Sequence, residues 1–381
     1  MPVPADDRRV EWPDVLRGLA AFAVVLFHVR VTMWIGLRAL AADPGYGWFN
    51  RISALITLPF PLFGSAVMLF FVVSGFAIHY PYAGAGRPFT LRSYGARRLF
   101  RIYPPYLAAV VFTLIIESFA GVPGGAPSPW SKAMATLTMT QNYVPPPGQL
   151  SANPSLWSLP VEAELYLMYP LLLWFWRRVG TARMLACVAL TSFAGAAALL
   201  GGHEWPMGNF AKYWIIWVSG AVLAERLRAG TLPRWRRSYA WLAAAGLAAA
   251  IASRASGVPF GFEHFIWGGL YVLLVWWGLS ETKSVTIVPS SLRRPIAFLG
   301  DISYSLYLVH YPVLVAAGAL WIAAFGGKPV NVAVPLIASL LPLPVAYLSW
   351  RFIERPSQEF GRALSQPRPA TLPAPAPATA R

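Results

Sequence analysis

Apolar residues in this chain gather into long runs broken by short polar segments, rather than into narrow amphipathic stripes. A helix needs about 20 such residues to cross the hydrocarbon core of a bilayer. Ten stretches approach that length: 13–35, 61–82, 102–121, 156–176, 184–201, 212–228, 239–255, 264–281, 296–323 and 331–353. The pattern predicts an all-α fold, a polytopic membrane helical bundle of about ten transmembrane helices. Pro and Gly inside several runs do not oppose this, because neighbouring helices satisfy the backbone groups they free. Pro160, near the start of the fourth run, is expected to break its helix and expose backbone groups to a cavity.

Composition supports the bilayer. Apolar residues make up 57% of the chain and charged residues 12%, where a soluble domain carries roughly 25% charged residues. The net charge of +16 raises nucleic acid as a partner. However, the basic residues sit in short clusters between apolar runs, with no single basic face, so no nucleic-acid partner is expected. With the N-terminus in the cytoplasm, 24 of the 31 Lys and Arg fall on the inner side, as the positive-inside rule requires. An even number of spans returns the C-terminus to the same side. The first run contains Arg17 and His28 and is followed by many others, so it is expected to remain as a span rather than be cleaved as a signal peptide. The lone Cys187 rules out an intrachain disulfide or a Cys-based metal site, and no metal is expected.

Three regions follow: a cytoplasmic N-terminus (1–12), a transmembrane domain (13–358), and a disordered Pro/Ala-rich cytoplasmic tail (359–381). Residues 122–155 form a long outer loop rich in Pro and Gly, of a length usually functional or disordered.

Several runs carry residues that a lipid-facing helix would not. Arg17 and His28 are eleven positions apart, three helical turns, and so share one face about 16 Å apart along the axis. That distance is too great for an ion pair; the two are placed to meet different parts of one elongated ligand. Ionisable groups inside a membrane are functional candidates; the bland alternative is a His bonded to a backbone carbonyl and an Arg that snorkels. Ser74 and Gly75 lie among bulky residues, where small side chains also serve helix packing. His79 falls near the inner end of its run and is expected at the interface. Arg97, Arg98 and Arg101 can share a helix surface, to bind phosphates or anionic lipid headgroups. Glu162 and Glu164, two apart, point in nearly opposite directions and cannot both face one site; one is expected to line a polar cavity. Ser303, Tyr304, Tyr307, His310 and Tyr311 make a polar stripe on the ninth run, which runs in the same direction as the first.

Together these motifs resemble the acyltransferase 3 family. Arg17-x10-His28, FFVVSGF, RRLFRIYPPY, SLWSLPVEAELYL, SYSLYLVHYP and the closing Phe352-Ile353-Glu354-Arg355-Pro356 occur in the family's order across about residues 13–358. Ala163 stands where relatives often carry a second adjacent Glu, which removes a carboxylate pair from the expected chemistry. Some relatives add a C-terminal SGNH-type domain, for which the residues after 358 are too few.

The resemblance implies an O-acyltransferase of a bacterial inner membrane. It would move an acyl group, most commonly acetyl, from cytoplasmic acetyl-CoA or another acyl-CoA to a hydroxyl. The acceptor would be a surface glycan such as exopolysaccharide or a lipid-linked precursor, with a macrolide or other small molecule as the alternative within the family. His28 matches the family's essential His and is expected to act as general base, with Glu162 as the second catalytic residue. Arg17, Arg97, Arg98, Arg101, Ser74 and Tyr304 are expected to hold the donor, and Glu164, Tyr307 and His310 the acceptor. A covalent acyl-Ser74 is disfavoured because nothing in the sequence places a base beside it. The rival from another class is a glycan transporter, whose midplane polar residues would look similar. The sequence neither requires nor excludes a homo-oligomer.

Overall fold

The computed structural model describes residues 11–43, 45–84, 86–120, 128–144, 148–198, 208–255, 260–280 and 288–366. Among them there are helices and no strand. In chain order the α-helices are α1 Glu11–Thr32, α2 Leu37–Ala42, α3 Trp48–Ser53, α4 Ala66–His79, α5 Leu91–Phe119, α6 Pro129–Leu137, α7 Ser158–Val179 and α8 Thr181–Ala197. They continue with α9 Phe210–Arg228, α10 Ser238–Ala255, α11 Phe260–Ser280, α12 Ser290–Phe325, α13 Ala333–Ala338, α14 Pro342–Ser349 and α15 Arg355–Ser365.

Six helical segments are long and apolar enough to cross a membrane: Glu11–Thr32, Trp48–Tyr82, Leu91–Phe119, Phe262–Ser280, Ser290–Phe325 and Ala333–Ser365. They coincide with six of the ten runs. The other four runs also fall on helices. Two of these, α8 and the described part of α10, are apolar but shorter. The other two, α7 and α9, are diluted by charged residues, among them Glu162 and Glu164 on α7 and Lys212 and Glu225 on α9.

Two expectations are corrected. Pro160 does not break α7; it lies in the helix's first turn, where a missing N–H costs no intrahelical bond. The closing helix runs on through residues 359–365, which the sequence had assigned to the tail; residues 367–381 lie outside the described residues. Between α14 and α15 the backbone makes one π-helical turn, Trp350–Glu354, a feature often found at functional sites.

Small residues set the closest helix contacts. A Cβ on Gly18 would lie 2.6 Å from the backbone N of Gly300, and one on Gly300 would lie 2.7 Å from the Asp14 carbonyl. With no side chains between them, α1 and α12 approach backbone to backbone. Their contacts climb in step, from Gly18 at Gly300 to His28 at His310, so the two helices are parallel. The same device joins α4 to α9: a Cβ on Gly75 would stand 1.8 Å from the Trp217 carbonyl, and one on Gly220 1.9 Å from that of Val72.

Candidate active site

Where α1, α4, α5, α7, α12 and α15 converge they leave a cavity whose polar lining comes from residues far apart in sequence. Arg17, Arg97, Arg98, Arg101 and Arg362 supply the positive charge and Glu162 the negative. Ser74, Ser158, Tyr166, Ser303, Tyr304, Tyr307 and Gln358 complete the polar wall, and Phe70, Phe71 and Val67 are among its apolar residues.

Glu162 organises one end. Its Oε1 accepts hydrogen bonds from Tyr166 (2.5 Å) and Ser74 (2.9 Å), and Trp217 Nε1 donates to Ser74 Oγ at 3.2 Å. Ser74 therefore does have a carboxylate beside it, a neighbour supplied by another helix and so invisible in its own run. Tyr307 Oη donates to the Ser155 carbonyl (2.7 Å) and lies 2.6 Å from Ser158 Oγ. With the tyrosine proton given to the carbonyl, Ser158 is the donor in that second bond.

The arginines differ in how tightly they are held. Arg17 Nε donates to Ser303 Oγ and its Nη2 to the Gly300 carbonyl, both at 3.1 Å. Arg97 is fixed by Ser93 Oγ and by Tyr82 Oη, the latter at 2.6 Å. Arg98 lies over the Tyr94 and Tyr166 rings, and its buried Nε has no hydrogen-bond partner among the described residues. Arg101 lies near the carboxylates of Glu354 and Glu162 and the rings of Tyr166 and Tyr304. Tyr304 itself donates to the Ile102 carbonyl at 3.0 Å.

His28 and His310 lie outside the cavity lining and against each other, with His28 Nδ1 2.9 Å from His310 Nε2. His310 Nδ1 stands 2.7 Å from the Tyr307 carbonyl and 3.2 Å from that of Leu306. A carbonyl only accepts, so His310 carries its proton on Nδ1 and, when neutral, offers a lone pair on Nε2. His28 must then donate from Nδ1, which leaves its own Nε2 with a free lone pair. Tyr307 joins the two zones, because its side chain lines the cavity and its carbonyl sets the histidine tautomers.

Glu164 is not brought to the cavity. Its position two residues from Glu162 turns it toward Tyr143 Oη, which donates at 2.6 Å, and the Phe210 backbone N–H, which donates at 2.8 Å. Burial and the Glu164 carboxylate hold the Tyr143 hydroxyl above its usual range, so it stays protonated and donates. His79 is also placed differently from the interface expected of it. It is buried, stacked on Trp176, and bonded to Tyr169 Oη (3.0 Å) and Glu225 Oε2 (2.9 Å).

Sequence reading passed over Glu354, Gln358 and Arg362. Glu354 is buried in the π-helical turn, accepts from Ser305 N–H (3.2 Å), Ser305 Oγ (2.7 Å) and Gln358 Nε2 (2.9 Å), and faces Arg101. The closing Glu-Arg-Pro motif was a signal for the first of these. Nothing in the sequence pointed to the other two.

A cationic cavity among apolar helices suits an anionic ligand chemically, and the tautomer-fixed histidine pair beside it is built to accept and pass a proton. An acyltransferase domain model, that of the acyltransferase 3 family, matches residues 10–351, and the chain belongs to that family. It is 28% identical over 323 residues to the acyltransferase MdmB of Streptomyces mycarofaciens, covering 78% of this chain and 77% of that protein. It is 26% identical to the putative peptidoglycan O-acetyltransferase YrhL of Bacillus subtilis and 23% identical to the O-acetyltransferase OatA of Staphylococcus aureus. Each of those alignments covers 91% of this chain but only 55% and 57%, respectively, of the relative. No solved structure matches the chain.

Proposed function

We propose that this protein is a multi-pass membrane O-acyltransferase. It takes an acyl group, most commonly acetyl, from an acyl-CoA that enters the arginine-lined cavity from the cytoplasm. The observation that carries the reading is the charge of that cavity. Five arginines against one glutamate make a lining of net charge +4, and coenzyme A presents about four negative charges on its diphosphate and 3′-phosphate. The orientation that accompanies it has ten spans, both termini in the cytoplasm and the inner membrane of a bacterium as its location, in keeping with the excess of Lys and Arg on that side.

In this reading the arginines hold the phosphates by charge-assisted bonds, the pantetheine arm passes Glu162 and Ser74, and the thioester lies toward Tyr307 and the histidine pair. The acceptor is a hydroxyl. Its proton passes to His28 Nε2 as its oxygen attacks the thioester carbonyl; the C–O bond forms, the C–S bond breaks, and the departing thiolate recovers the proton. His310 orients the base, and Glu162 holds Ser74 and Tyr166 along the path of the pantetheine arm. Glu164 ties Tyr143 to the start of α9. The acceptor is a glycan or lipid-linked glycan, a reading favoured by the O-acetyltransferase relatives. A macrolide-type small molecule is the second reading, favoured by the alignment with MdmB over 77% of its length.

The test is labelled acetyl-CoA with the purified protein in lipid nanodiscs. His28→Ala should retain acetyl-CoA binding and lose transfer. Full transfer by that variant would remove the base, and absence of binding by the wild type would remove the donor. Mass spectrometry of the glycans from a deletion strain identifies the acceptor.

A further inference from the structure

Helix α15 follows the segment that the family model matches, which ends at residue 351, yet it contributes Gln358 and Arg362 to the cavity. Its seat on α5 is specific. Ser357 Oγ donates to the Phe100 carbonyl and Ser365 Oγ to that of Ser93. Between them a Cβ on Gly361 would lie 2.8 Å from Phe100 Cβ and 3.1 Å from the Ala96 carbonyl. The Phe360 and Phe100 rings meet at 4.9 Å.

These pairings fix an antiparallel register. As α15 advances from Ser357 to Ser365, its partners on α5 descend from Phe100 to Ser93, which brings Arg362 level with about Gly95. Arg101 is then six residues away along α5, or about 9 Å at the helical rise. Arg362 is also the only one of the five cavity arginines that is exposed, and it makes no hydrogen bond or ion pair among the described residues. The arginines therefore form a graded row, from Arg101 beside the Glu162 end to Arg362 at the rim.

We infer that Arg362 binds the 3′-phosphate of the donor's ribose, so that α15 makes the site selective for acyl-CoA over thioesters lacking that group. The inference rests on the donor reading above. A donor whose pantetheine arm runs past Glu162, so that its thioester lies toward the histidine pair, puts the diphosphate beside Arg98 and Arg101. The adenosine end, farthest from the thioester, then reaches the rim. The axial offset between Arg101 and Arg362 suits two phosphate groups carried on one ribose. Gln358, held by Glu354, stands between them.

The experiment compares acetyl-CoA with acetyl-3′-dephospho-CoA for the full-length protein and for Arg362→Ala and Arg362→Lys. The wild type should bind acetyl-CoA about ten- to a hundredfold more tightly than the dephospho thioester, the span expected for one charge-assisted contact. Arg362→Ala should lose that preference by weakening acetyl-CoA alone, and Arg362→Lys should keep part of it. Equal weakening of both thioesters by Arg362→Ala, no weakening of either, or a wild type that does not discriminate overturns the assignment. A wild type that binds neither thioester overturns the donor reading itself, a separate and recognisable result.

Discussion

His28 Nδ1 and His310 Nε2 stand 2.9 Å apart, and the Tyr307 carbonyl on the far side of His310 decides which ring gives the proton. The pair is therefore directional: His310 accepts, and His28 keeps a free lone pair on Nε2. Replacing His310 by Ala frees the His28 ring to turn and change tautomer. The expected result is a fall in kcat of about ten- to a hundredfold, the range seen when a metal-bound histidine loses its orienting partner, with the KM for the acyl donor unchanged. His310→Gln, whose amide oxygen can accept the same proton, should recover part of the loss. Equal kcat for the two variants would argue against an orienting role.

Glu162 is the carboxylate in the cavity lining, and its removal acts on binding and turnover in opposite directions. In Glu162→Gln the arginines lose a negative neighbour, so the KM for a polyanionic donor should fall severalfold. The bonds to Ser74 and Tyr166 lose their charge-assisted character, and kcat should fall as well. Steady-state kinetics separates the two effects; a raised donor KM would contradict the charge argument.

Ser74→Ala tests direct transfer against an acyl-serine route. Ser74 lies 2.9 Å from Glu162, so a base is present, but direct transfer does not use the serine as nucleophile. Turnover should persist at a reduced level, and intact-protein mass spectrometry of the wild type with labelled acetyl-CoA should find no acylated Ser74.

The close approach of α4 and α9 predicts a stability effect. Gly75→Ala would force a methyl to within 1.8 Å of the Trp217 carbonyl, so the helices must separate, at about 1–3 kcal/mol for overpacking of this kind. Gly269→Ala in α11, where nothing lies within 4 Å of the added Cβ, is the matched control. Thermal unfolding in detergent should give a lower Tm for the first variant and no loss for the second.

Glu164→Ala should destabilise the protein without altering donor affinity. The change removes the carboxylate that accepts from the half-buried Tyr143 hydroxyl and Phe210 N–H, at about 1 kcal/mol for each bond. Glu164→Gln should restore most of the loss. A change in acyl-CoA binding by either variant would place Glu164 in the site after all.

The parts of this structure that were legible in the sequence follow from one helix at a time. Apolar run length located helices, six of them long and apolar enough to cross a membrane, and the helical repeat put Arg17 and His28 on one face and sent Glu162 and Glu164 apart. Relations between helices were not legible. That His28 meets His310, that Glu162 reaches Ser74, and that Arg362 joins the arginines of α5 depend on packing across long sequence separations, set by glycines whose closeness to a neighbour leaves no periodic trace. His79 misled for the same reason. Its place near the end of a span suggested exposure, but Trp176 and Glu225 from other helices cover it.

The parallel packing of α1 on α12 has a consequence for biosynthesis. The two halves of the histidine pair are 282 residues apart, and the first is inserted long before the second emerges from the ribosome, since chains are made and folded from the N-terminal end. Until α12 brings Gly300 against Gly18, the His28 ring has the Val24 carbonyl of its own helix but not His310. A nascent or prematurely terminated chain thus lacks the histidine pair, which assembles only when α12 joins the bundle.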